Sequence, residues 1–130
     1  MKVLIVDDSV VMRMIVERVL RQSGLDVGEV LYAANGVEGL AALEKTEASG
    51  KPLDLVLCDV QMPVMNGLDF LREKQRRNLA PEVPVVMITA EGGDPQVLAA
   101  VAAGAQGYIS KPFTMQQMQS SIASLLPRAA

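Results

Sequence analysis

Apolar residues run almost without interruption through KVLIV (Lys2 to Val6), LDLVLCD (Leu53 to Asp59) and VPVVMIT (Val83 to Thr89). A strand with one wet face alternates apolar and polar residues, whereas a strand apolar at every position is covered on both faces. Such strands belong to a parallel sheet with helices on each side, joined by helical crossovers. The segments between the runs have that character. VVMRMIVERVLRQ repeats apolar residues at helical spacing and stops at Ser23-Gly24. EVLYAA (Glu29 to Ala34) reads as a second strand closed by Asn35-Gly36, and VEGLAALEKTE as a second helix. GLDFLREKQRRN is a third helix with its basic residues toward the negative end of its dipole. Asp94-Pro95 is a start signal for a fourth helix, Pro95 to Ala103. GYIS (Gly107 to Ser110) is a fifth strand, and Thr114 with Gln117 forms a capping box that opens a last helix, Met115 to Leu126. The expectation is an α/β fold, a doubly wound five-stranded parallel sheet flanked by five helices.

Composition limits what such a fold can do. A chain of 130 residues that is 50% hydrophobic suits one domain with its own core. No apolar run approaches the roughly 18 residues of a membrane span, and residues 1 to 10 lack the pattern of a signal peptide. Cys58 is the single cysteine, so an internal disulfide is excluded, consistent with a cytoplasmic location; within its apolar run it reads as a core residue. The net charge of -3 argues against direct nucleic-acid binding. With no histidine, the chain has neither an imidazole base nor a histidine-ligated metal.

In open sheets of this kind ligands bind outside the carboxyl ends of the strands, where strand order reverses. The residues leaving those ends are Asp7 and Asp8, Asn35, Asp59, Thr89 and Lys111. Asp59 could simply open the turn that follows it, as acids often do. Its company argues for chemistry. Asp7-Asp8, Asp59 followed by MPxMNG, Thr89-Ala90 and Lys111-Pro112-Phe113 together resemble the receiver domain of two-component response regulators, in particular the single-domain chemotaxis type. Each motif alone is common. The set in order, each at a strand end, covers the chain from Lys2 to about Leu126. The resemblance implies strand order 2-1-3-4-5, a receiver domain over 1–126 and a short tail over 127–130.

The residues support the same chemistry directly. Asp7, Asp8 and Asp59 converge if strands one and three are neighbours. Two like charges about 4 Å apart repel by about 4 kcal/mol at an effective dielectric of 20. Such a cluster either raises its pKa values or holds a cation. Oxygen donors without histidine or cysteine select a hard ion, and an open site facing a phosphate suits Mg²⁺ better than Ca²⁺. Lys111 can supply charge, and Thr89 a hydrogen bond, to phosphoryl oxygens.

The resemblance adds roles. Asp59 would be the phosphoacceptor, taking the phosphoryl group from a phosphohistidine of a sensor histidine kinase. Asp8 and Asp59 would ligate Mg²⁺ directly, Asp7 through a water, with the Gln61 backbone carbonyl as a further ligand. Thr89, Lys111 and the Ala90 backbone N–H would bind the phosphoryl oxygens. Tyr108 would be the aromatic member of a switch with Thr89, and Lys111-Pro112 a cis peptide. Gln61 and Glu91 occupy positions that tune acyl-phosphate lifetime in the family. One departure is the segment EKTEASGKPLD, longer than in minimal members and read as a loop extension away from the catalytic edge.

Competing classes fit less well. A flavodoxin needs a Ser/Thr-rich phosphate loop after strand one, where DDSVVM is acidic, and a haloacid-dehalogenase-type phosphatase needs a DxD pattern there. Alternatives within the family are a receiver cut from a larger regulator with an effector domain, and a binding module that has lost its switch. Output is expected as target binding or self-association through the fourth helix, fifth strand and fifth helix. After Asp94 the only charged residues are Lys111 and Arg128, which leaves that face almost free of charge. Val97, Leu98, Val101, Met115, Met118, Ile122 and Leu125 are the helix-spaced residues expected to pack on the sheet.

Overall fold

The computed structural model describes residues 1–89, 95, 99 and 102–125. Five parallel strands form one sheet: β1 (Val3–Val6), β2 (Val30–Ala33), β3 (Leu55–Asp59), β4 (Val85–Thr89) and β5 (Gly107–Ser110). Their order is β2-β1-β3-β4-β5, as the resemblance implies. Among the described residues the helices are α1 (Val10–Gln22), α2 (Gly36–Ala48), α3 (Gly67–Arg76) and the C-terminal α4 (Met115–Ala123). The predicted helix from Pro95 to Ala103 lies largely outside the described residues, where Pro95, Ala99 and Ala102 are helical. No described helix is long and apolar enough to cross a membrane.

Strand alternation divides the core into two layers. Val3, Ile5, Leu55, Leu57, Val86 and Ile88 face Val16 and Leu20 of α1 and Met118 and Ile122 of α4. Leu4, Val6, Val56, Cys58, Val85 and Met87 face Leu40 and Leu43 of α2 and Phe70 and Leu71 of α3. Full burial of a side chain such as Ile122 contributes about 1.5–3 kcal/mol. The three central strands are buried at every residue, as their composition predicts. The edge strands are not: Tyr32 of β2 and Tyr108 of β5 are exposed, because each edge strand is flanked by the sheet on one side only.

Two expectations need correction. The segment read as a loop extension is partly helix, since α2 continues to Ala48 and only the residues from Ser49 on connect it to β3. Lys45 in the last turn and the bond from the Ser49 N–H to the Lys45 carbonyl complete its C-terminus. Met115, expected in the core, is 47% exposed. It is the first residue of α4, at the sheet's carboxyl edge, beyond the rows that bury Met118 and Ile122. Leu125 packs partly against that core as expected, while Val97, Leu98 and Val101 lie outside the described residues.

Every described helix starts at the sheet's carboxyl edge and is capped there. Ser9, Asn35, Asn66 and Thr114 accept from the N–H groups of Met12, Glu38, Asp69 and Gln117. Thr114 and Gln117 form the expected reciprocal capping box. The positive ends of these helix dipoles thus share an edge with the strand-end residues.

Candidate functional site

Register places the acids together. Parallel pairing sets Val6 beside Cys58, so Asp7 and Asp59 leave neighbouring strands at the same level. Carboxylate oxygens of Asp7, Asp8 and Asp59 all lie within 4.8 Å of one another. Asp7 is 2% exposed and Asp59 8%, whereas Asp8 is open to solvent. One oxygen of Asp7 accepts the Ser9 N–H at 2.9 Å, and the other is buried without a hydrogen-bond partner. Burial pushes the Asp7 carboxyl above its ordinary range, the Asp59 and Asp8 charges add to that, and the Ser9 N–H opposes it. Asp59 is also raised, chiefly by burial, against the pull of Lys111 and of the Val60 and Gln61 N–H groups.

Lys111 follows β5 and reaches across β4, placing Nζ 3.5 Å from Asp59 Oδ1. The Lys111-Pro112 peptide is cis, as expected from the resemblance. Thr89 ends β4; its side chain is fully buried and its Oγ1 has no hydrogen-bond partner. A buried hydroxyl left unpaired costs free energy that a ligand oxygen would recover. Tyr108, on edge strand β5, is 48% exposed and so lies outward. Ala90 and Glu91 fall outside the described residues, so the expected Ala90 N–H contact does too.

Several supporting residues were not singled out in the sequence. Ser9 caps α1 and binds Asp7, and a serine before an apolar helical run is a readable cap signal. Arg13 donates from Nη1 to the Asp7 carbonyl at 2.6 Å, a contact across six residues that no spacing rule announces. Gly67 packs against the Asp59 carbonyl so closely that an added Cβ would sit 2.3 Å from its oxygen. Gly36 accepts the β3–α3 loop in the same way: its N–H donates to the Met65 carbonyl, and an added Cβ would lie 2.6 Å from Met65 Cγ.

A buried acid pair, an exposed third acid, a lysine and an orphan hydroxyl at one sheet edge match one known arrangement. The family model described as the response regulator receiver domain matches residues 3–123. The chain belongs to this family. Chemotaxis protein CheY1 of Helicobacter pylori is 40% identical over 126 residues, covering 97% of both chains. A chemotaxis protein CheY homolog of Campylobacter jejuni is 37% identical, covering 97% of this chain and 92% of the relative. The crystal structure of Vibrio cholerae CheY4 superposes with a TM-score of 0.79 at 33% identity, covering 96% of this chain and 98% of that one. A putative response regulator from Chloroflexus aurantiacus gives a TM-score of 0.84 at 32% identity, covering 98% of each. The protein is therefore a CheY-like receiver, a phosphoacceptor switch of two-component signalling.

Proposed function

We propose that Asp59 is the phosphoacceptor and that its donor is the phosphohistidine of a sensor histidine kinase in the cytoplasm. An Asp59 oxygen attacks phosphorus, the P–N bond breaks, the imidazole leaves with the bonding pair, and an acyl phosphate forms. The observation carrying this reading is Asp59 itself: a buried carboxylate with Lys111 Nζ 3.5 Å away and two further acids around it. Lys111 and the Thr89 hydroxyl are the groups to bind the phosphoryl oxygens, and the unpaired Oγ1 of Thr89 supports that role. The Ala90 N–H would add a third contact. The chain acts as a switch that promotes its own phosphorylation and dephosphorylation, not as an enzyme with a separate substrate to turn over.

The three carboxylates fit a hard divalent cation: all donors are oxygen, they lie within 4.8 Å of one another, and one buried Asp7 oxygen is unpaired. Asp8, Asp59 and the Gln61 carbonyl would hold Mg²⁺ directly, and Asp7 through water. The ion supplies charge neutralisation as a phosphoryl group enters an already acidic site. Asp8→Ala is expected to abolish Mg²⁺ binding measured by isothermal titration calorimetry and to raise the metal-free melting temperature. A lower metal-free melting temperature would instead mean that hydrogen bonds already satisfy the cluster. The test of the phosphoacceptor reading is Mg²⁺-dependent labelling by acetyl phosphate, mapped to Asp59 by mass spectrometry; labelling elsewhere would overturn it.

The output surface we propose is the predicted helix from Pro95 to Ala103, β5 and α4, coupled to the site through Thr89 and Tyr108. The named relatives are chemotaxis proteins, which favours a target in chemotaxis. Exposed residues of the described part carry no charge: Gln116, Gln117, Gln119, Ser120 and Ser124 are polar, and Tyr108 and Met115 are exposed beside them. Charge pairs can contribute little there, so target binding or self-association of the beryllofluoride-activated protein should depend weakly on salt. Sedimentation at low and high ionic strength checks this, and a steep salt dependence would point to another face.

A further inference from the structure

The buried row of α3 is Gly67, Phe70, Leu71 and Lys74, spaced as one face of a helix. Phe70 and Leu71 belong to the core, and the next place in the row is a lysine that is 8% exposed. A lysine ordinarily carries its head to water, and a methionine would fill the same place without a buried charge. Local contacts do not account for the choice. Lys74 Nζ donates to the Ala80 carbonyl at 3.0 Å, its one acceptor among the described residues, although an ammonium has three donors. The carbonyls that end α3 are closed without it: those of Glu73, Lys74 and Gln75 accept the N–H groups of Arg77, Leu79 and Asn78. Its charge is also unmatched. Arg72, Arg76 and Arg77 pair with Asp69, Glu73 and Glu44, whereas Lys74 forms no ion pair among the described residues. Burial pushes the ammonium below its ordinary range, and the Glu47 charge opposes that only in part. Glu47 itself accepts the Ala80 N–H.

A cavity of about 280 Å³ lies against Lys74, with Leu71, Gln75, Asn78, Pro81 and Gln106 among its other walls. That is the volume of about nine waters in the liquid, room for a small organic molecule. Leu71 and Pro81 make one part of the wall apolar. Gln106 supplies a held donor: its Oε1 accepts the Val85 N–H at 2.8 Å, so its NH₂ group is left to donate. The cavity is remote from the acid cluster. α3 starts against the Asp59 carbonyl and runs ten residues, about 15 Å, toward the opposite edge of the sheet. The charges decide the ligand class. One ammonium and a primary amide suit a monoanion. A phosphate dianion is ordinarily held by arginine forks or a helix N-terminus, but this cavity sits at a helix C-terminus, whose dipole opposes further negative charge.

We propose that this cavity binds a small aliphatic carboxylate, with its charged end on Lys74 and the Gln106 amide and its hydrocarbon on Leu71 and Pro81. The probes are sodium butyrate and sodium hexanoate, titrated into the metal-free full chain at fixed pH and ionic strength and followed by amide chemical shifts. Chloride and inorganic phosphate are the comparison anions. Saturable shifts are expected over residues 71–78 and 103–106, with a dissociation constant on the order of 1 mM and hexanoate the tighter ligand. Lys74→Met keeps the buried row filled and should weaken binding at least about tenfold, with the melting temperature unchanged or raised. Gln75→Glu puts a like charge on the cavity wall at nearly constant shape and should weaken binding by a similar factor. Where Lys74→Met melts lower, Gln75→Glu decides: lost binding upholds the proposal and retained binding overturns it. Absence of saturable shifts in the wild type, the same shifts with chloride, or phosphate binding as tight as hexanoate would each overturn it. So would shifts centred on Asp59 and Lys111, or a Lys74→Met chain that binds hexanoate like the wild type and leaves the lysine as a support for the Ala80 carbonyl.

Discussion

Asp59→Asn is expected to stay folded and to take no phosphoryl group from acetyl phosphate with Mg²⁺ present. The amide has the shape of the carboxylate, and Asp59 packs at the end of a strand whose other residues are fully buried. Circular dichroism should therefore match the wild type, while labelling falls to background because an amide oxygen is a poor nucleophile. The substitution should also stabilise the metal-free protein. Burial raises the Asp59 pKa more than the Lys111 charge lowers it, so the carboxylate is held against its preference at neutral pH. The sign follows from linkage. A carboxyl whose folded pKa is raised favours folding most below its unfolded value, near 3.9, and loses that contribution as pH rises through the folded value. The stability gained in Asp59→Asn, on the order of 1–2 kcal/mol, should be largest near neutrality and shrink as pH falls through the raised value. Denaturant melts with a chelator, run from neutral to acid pH, measure this. Labelling of the asparagine variant at the wild-type rate would refute the phosphoacceptor assignment.

Gly67→Ala is expected to damage both the fold and the site. Gly67 opens α3, its N–H donates to the Val60 carbonyl at 2.8 Å, and a Cβ there would lie 2.3 Å from the Asp59 oxygen and 2.6 Å from Met87 Cε. Methionine can turn aside, but the Asp59 peptide cannot move without displacing β3 between β1 and β4. Overpacking of this kind costs about 3 kcal/mol or more where backbone must yield. The displaced atoms are those of the proposed phosphoacceptor, so a shift near 1 Å should slow labelling on the order of 100-fold in the folded fraction. Gly36→Ala is the useful contrast. The atoms nearest its Cβ would be side-chain atoms of Met65, Cγ at 2.6 Å and Sδ at 2.8 Å, rather than backbone, so it should cost less in urea melts. Equal stability of Gly67→Ala and the wild type would mean that α3 can retreat without moving β3.

The order of elements, the double coverage of the central strands and the capping box at Thr114 follow from local chemistry, because period, propensity and cap preference act over a few residues. Asp7, Asp59, Thr89 and Lys111 were legible for the same reason: each ends an apolar run or follows one, and a parallel sheet puts such ends on one edge. Roles came from the resemblance, since spacing alone leaves Asp59 free to be a turn residue. What sequence could not decide is what happens between residues distant in the chain. The exposure of Met115 depends on where the sheet stops beneath α4. The extent of α2 past Lys45 depends on packing, with Glu47 reaching the Ala80 N–H across 33 residues. The Arg13 contact to the Asp7 carbonyl, the unpaired Thr89 hydroxyl and the glycine-thin seam between Gly67 and Asp59 exist only once strands and helices are assembled. Burial and close approach are properties of that assembly, and they turn three ordinary aspartates into a site whose charges are out of balance.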